Sequence, residues 1–129
     1  MKADTREWVR FAEADFEVAT SLMRKRKKLP ANIVGFHCQQ CAEKYLKARM
    51  VEDGVSVIKT HDLQVLLNLV LASQPLWAAF HNVLGNLTGY GVKFRYPGHV
   101  ATRADAQAAV KACRSIRTEI RLSLGLPKK

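Results

Sequence analysis

Long apolar stretches are missing from this chain. The longest, Val65 to Ala72, is broken by Asn68 and falls far short of the roughly 20 apolar residues that a membrane-spanning helix needs. Cysteine is scarce and odd in number, Cys38, Cys41 and Cys113, without the spacing of a disulfide framework. No apolar core of a signal peptide stands near the start, so reduced thiols and a cytoplasmic location are expected. No Gly-rich loop follows a strand to cradle phosphate, and no pair of carboxylates stands at catalytic spacing. Acidic residues are few as well: 11 against 21 Lys and Arg give a formal net charge of +10. That field attracts nucleic acid, nucleotides or an acidic protein, without choosing among them.

What remains is ordinary material for one domain. The 129 residues are 48% hydrophobic and 25% charged, enough to bury a core without a metal or a disulfide.

The stretch Phe36 to Lys47, F-H-C-Q-Q-C-A-E-K-Y-L-K, sorts its residues most sharply by helical angle. At 100° per residue, Val34, Cys38, Cys41, Tyr45 and Ala48 fall within roughly 80° and form a packing seam. Beside the seam runs a line of donors, His37, Gln40, Lys44 and Lys47, a candidate surface for nucleotide or RNA. Each has a structural reading too: Lys47 stands four residues after Glu43 and suits an ion pair, and His37 and Gln40 suit satisfied positions inside a bundle.

In chain order, Asp4-Thr5-Arg6-Glu7 predicts a capping box opening a first helix, with Trp8, Phe11, Ala12, Ala19 and Leu22 on its apolar face. Asp15 falls among these apolar positions, either hydrogen-bonded at the seam or exposed by rotation. Five cations, Arg24 to Lys28, end the helix before Pro30 resets the chain. They read either as a solvated terminus or as phosphate contacts. A second helix over Ala31 to Val51 closes at Asp53-Gly54. Val55 to Ile58 reads as a loop plugging the bundle end. Thr60 is expected to cap a third helix over His61 to Ser73, with His61 a neutral hydrogen-bonding group in its first turn. Gln74-Pro75 breaks the pattern, and Leu76 to Leu87 predicts a fourth helix with Trp77, Phe80, Leu84 and Leu87 inward.

Residues 88–101, carrying Tyr90, Lys93, Phe94, Arg95, Tyr96, Pro97 and His99, read as a long loop of functional composition. Thr102 and Asp105 predict a capping box for the last helix. Along it Ala106, Ala109, Cys113, Ile116 and Ile120 form a core stripe, and Lys111, Arg114, Arg117 and Arg121 a basic one suited to phosphates. Residues 126–129 are expected to fray. The whole reads as an all-α, up-and-down bundle of four to five helices.

The spacing of Cys38 and Cys41 matches C-x-x-C, but it lies well inside a helix, away from the electropositive helix start that activates redox thiols. Zinc would need further ligands than Cys113 and a His supply. No metal and no cofactor is expected.

The segments F-H-C-Q-Q-C-A-E-K-Y-L-K-A at Phe36 to Ala48, T-H-D-L at Thr60 to Leu63, and L-T-G-Y with R-Y-P between Leu87 and Pro97 together resemble the HEPN domain (higher eukaryotes and prokaryotes nucleotide-binding). Trp8 and Asp15 extend the likeness into the first helix. The resemblance implies a homodimer that accompanies a minimal nucleotidyltransferase, as nucleotide-binding partner or as the toxin of a toxin–antitoxin pair. It also implies a metal-independent ribonuclease option, whose active pair is an Arg followed after four to six residues by a His. Here only Arg95 and His99 fit that order, with three residues between them and aromatic Tyr96 directly after the Arg. The resulting expectation is a binding module holding nucleotide or RNA against Arg95, Tyr96, Lys93 and the His37 to Lys47 line, in one cleft shared by both groups. Cleavage by Arg95 and His99 and a purely protein-binding role are the alternatives.

Overall fold

A computed structural model describes residues 1–93 and 96–129, the side chains of 91–93 excepted. Five α-helices make the bundle: α1 (Ala3–Met23), α2 (Ala31–Glu52), α3 (Leu63–Val70), α4 (His81–Lys93) and α5 (Arg103–Ser123), with a 3-10 helix over Pro75–Phe80. The described residues contain no strand, and no helix among them is long and apolar enough to cross a membrane.

Helix α2 is the axis of the bundle, packed by α1, α3, α4 and α5. Of its 22 residues 14 are buried, too many for a helix with one wet face, so its polar residues must find partners inside. The predicted seam lies against α1 and α5: Val34, Cys38, Cys41, Tyr45 and Ala48 are fully buried, as is Cys113 of α5. A hydrogen bond with Cys113, followed by burial, pushes the Cys38 thiol far up, and the Cys113 thiol is also raised. The three cysteines are therefore packing groups.

Where side chain and backbone are close in sequence, the structure has the expected arrangement. Thr102 Oγ1 accepts from Asp105 N–H at 3.1 Å, and Asp105 Oδ2 accepts from Thr102 N–H at 2.8 Å, completing the expected box. Gly54 closes α2 at φ +73°, the left-handed geometry that glycine supplies without strain.

Other boundaries moved. Helix α1 has no box of its own; Glu52 at the far end of α2 accepts from Lys2 N–H at 3.0 Å and from the buried Thr5 hydroxyl at 2.9 Å. Phe11 is 48% exposed, and Val9 and Asp15 are inward instead. Asp62, not Thr60, caps α3, accepting from Gln64 N–H at 3.0 Å, so His61 precedes the helix. The largest correction concerns residues 88–93, which continue α4 to Lys93 in place of a loop. Buried Leu84 and Leu87 anchor that helix against the core, and packing overrides the low helix propensity of Gly85, Gly89 and Gly91. The tail is pinned, not frayed: Arg121 Nε donates to Pro127 O at 2.5 Å and Arg117 Nη1 to Lys128 O at 2.6 Å.

Candidate functional site

The donor line of α2 is present, and it is largely engaged within the protein. Asp15 of α1, only 8% exposed, takes His37 Nδ1 at 2.8 Å and Lys44 Nζ at 2.5 Å on its two oxygens. This settles Asp15 as a hydrogen-bonded seam residue. Gln40 donates to Gln39 Oε1 at 2.8 Å, and Gln39 passes the chain on to Glu43 at 3.2 Å and to the His61 carbonyl at 3.0 Å. Glu43 is the hub, bonded also to Lys47 Nζ at 2.9 Å and His61 Nδ1 at 2.8 Å. Lys47 lies in addition over the Trp8 ring, 5.5 Å from its centre, a cation–π contact in a partly dry place.

These contacts decide what the line can do. Lys47 is buried and neutralised by Glu43, so it is no open phosphate contact. Lys44 and His37 keep part of their surface in solvent beside a carboxylate, and Gln40 is likewise half-buried.

The second expected group lies at the end of α4. Tyr96 is 65% exposed and Pro97 to His99 are exposed, in a turn where His99 N–H donates to Tyr96 O at 3.4 Å and Gly98 takes φ +91°. Only glycine adopts that φ readily, so Gly98 lets the ring of Tyr96 and the imidazole of His99 leave the same short turn. Arg95 and the side chain of Lys93 lie outside the described residues.

The one shared cleft is not what the helix packing favours. Cβ added to Gly35 would lie 3.5 Å from Tyr90 Cβ, so α4 crosses α2 at Gly35. At 100° per residue, Gly35 and His37 face directions about 160° apart around α2. The His37 line therefore belongs to the α1 flank, and α4 to the other.

The basic stripe of α5 divides in the same way. Lys111 and Arg114 are exposed, but Arg117 and Arg121 are buried against Glu13 of α1. Arg117 makes a bidentate pair, Nε to Oε2 at 2.7 Å and Nη2 to Oε1 at 2.6 Å, and Tyr45 O–H donates to the same carboxylate at 2.5 Å. Sequence reasoning missed the Glu13 hub and found Glu43 only as the partner of Lys47. In a chain with so few acids, carboxylates at intermediate helix positions were the available signal.

Burial alone would raise the Glu43 carboxyl, but hydrogen bonds from His61, Lys47 and Gln39 hold it below its ordinary 4.5. Glu13 follows the same pattern, with burial opposed by Arg117 and Tyr45. Carboxyls depressed in the folded state bind protons more readily once unfolded, so their stabilisation is full above about pH 4.5 and vanishes as pH falls through the folded values. Denaturant midpoints measured by circular dichroism between pH 3 and 8 are expected to be flat down to about pH 5 and to drop below it.

Among the described residues no three His, Cys, Asp or Glu side chains stand ready to hold a metal ion. No curated protein and no solved structure matches the chain significantly. The model of the HEPN domain matches residues 5–123, from the first turn of α1 to the last residue of α5. The helical bundle and this nearly complete match establish that the chain belongs to the HEPN domain family.

Proposed function

We propose that this HEPN domain binds RNA or a nucleotide through the turn that follows α4. Tyr96 stacks on a base, Arg95 and Lys93 take phosphate, and His99 adds a donor beside them. His37 and Gln40 serve as secondary contacts. The observation that carries the reading is the exposed Tyr96 to His99 turn on a chain of net charge +10. The protein works as a homodimer with a minimal nucleotidyltransferase as partner, in a pair of the toxin–antitoxin kind, a second copy bringing its own turn to the bound strand.

The same turn favours cleavage as the second reading. His99 would exchange protons with the 2′-hydroxyl or the leaving oxygen, and Arg95 would stabilise charge on the phosphate, leaving a cyclic phosphate.

One experiment separates the two: purified protein with end-labelled single-stranded RNA in EDTA. Intact RNA, retained at low salt and released as salt rises, is the expected result, with Tyr96→Ala weakening retention about tenfold. Cleavage to a cyclic phosphate that is lost in His99→Ala would replace binding by the ribonuclease reading. Absence of retention at low salt would end both.

A further inference from the structure

A groove lies along α5, lined by neither the His37 to Lys47 line nor the Tyr96 to His99 turn. It runs between α5 on one side and the 3-10 helix and α4 as far as Tyr90 on the other, as two adjoining hollows of about 720 and 270 Å³ that share Phe80, Lys111 and Ser115. Met23, Phe80, Val83 and Val110 give it an apolar floor. Val83 is 37% exposed, so part of that floor faces solvent.

The rim is basic. Lys111 and Arg114 are exposed and, among the described residues, neither is ion-paired; Arg114 lies over the Phe16 ring, 5.1 Å from its centre. The cationic run Arg24 to Lys28 begins directly after the groove residue Met23 and is exposed throughout. It is fixed beside the start of α5, because Arg103 Nη2 donates to Lys25 O at 2.9 Å and to Arg26 O at 3.3 Å. One carboxylate, Glu119, lines the far end.

We propose that this groove is a docking site for an acidic amphipathic helix of a partner protein. The apolar floor calls for apolar side chains on one face, and the flanking cations call for Asp or Glu beside them. Along α5 the lining runs from Gln107 to Glu119, a length of about 18 Å at 1.5 Å per residue, or about three turns of a docked helix. A second copy of the chain is the poorer occupant of this rim, since with 11 acidic against 21 basic residues it has few carboxylates to set against Lys111, Arg114 and the run Arg24 to Lys28; dimerisation through another face is unaffected. A nucleic acid strand would satisfy the cations but leave Phe80, Val83 and Val110 uncovered. The inference is independent of the RNA reading, which uses the turn after α4.

The test uses the full chain and a fluorescein-labelled synthetic peptide of about 15 residues, with Leu at i, i+3, i+4 and i+7 and Glu on the flanks. A control peptide has the same composition in scrambled order. Expected are a saturable rise in anisotropy with the patterned peptide, none with the scrambled one, and amide shift changes centred on Phe80, Val83 and Val110. Lys111→Glu/Arg114→Glu, which leaves the buried core intact, should weaken binding at least about tenfold, and Val83→Asp should weaken it with the cations in place. Absence of binding, or equal binding of the scrambled peptide, overturns the proposal. So does a double reversal that changes the sedimentation coefficient, or the retention of poly(U), while peptide binding stays as it was.

Discussion

Glu43→Ala is expected to destabilise the protein by about 3–5 kcal/mol, measured as the shift in urea-unfolding free energy. The side chains of Glu43 and Lys47 are 5% and 9% exposed. Removing the carboxylate leaves an ammonium enclosed beside Trp8 without a counter-charge, and strips Gln39 and His61 of an acceptor. The cost is mainly that of the stranded cation, because His61, at 71% exposed, can turn to water. Glu43→Met combined with Lys47→Met removes both charges, so it should recover most of the loss, as buried pairs replaced by packed apolar groups often do. A single substitution costing under about 1 kcal/mol would mean that Lys47 reaches solvent with ease and that the α2 interior is not dry.

Glu13→Ala should cost about 2–3 kcal/mol. It strands two guanidinium groups, Arg117 and Arg121, whose side chains are 7% and 9% exposed. Glu13 is itself 32% exposed, which is why water entering the gap limits the loss. The effect should reach the tail, since Arg117 and Arg121 hold the Lys128 and Pro127 carbonyls. Limited proteolysis is expected to clip the last residues of Glu13→Ala sooner than those of the native chain, while Glu13→Gln, keeping an acceptor for both Tyr45 and Arg117, should fall between. An unchanged tail would separate the two layers of contacts and contradict the coupling.

The difference between legible and illegible features follows sequence distance. The Thr102–Asp105 box, the Gly54 cap and the Cys38 to Tyr45 seam depend on residues within a few positions of each other, and helical spacing exposes them. The HEPN motifs were equally readable, being short runs of residues in order. Arg117 and Arg121 read as part of a phosphate-tracking stripe because nothing near them in sequence cancels their charge; Glu13 is 104 residues from Arg117. Lys47 shows the converse case. Its ion pair with Glu43 is visible at a spacing of four, but its enclosure depends on Trp8 of α1, whose ring lies against it. Gly85, Gly89 and Gly91 made the end of α4 look like a loop, and only Leu84, Leu87 and their packing reveal a helix. The placement of His37 and α4 on different flanks requires knowing which side of α2 each neighbour takes.

The sealed sulfur pocket formed by Cys38, Cys41 and Cys113 gives the molecule an oxidation chemistry governed by conformation. A thiol shielded from solvent gives peroxide or an alkylating agent no line of approach. Such reagents reach sulfur only in molecules whose helices have parted. Oxidative damage at these positions thus scales with the small opened fraction and remains indifferent to the ambient redox potential as long as the bundle stays shut.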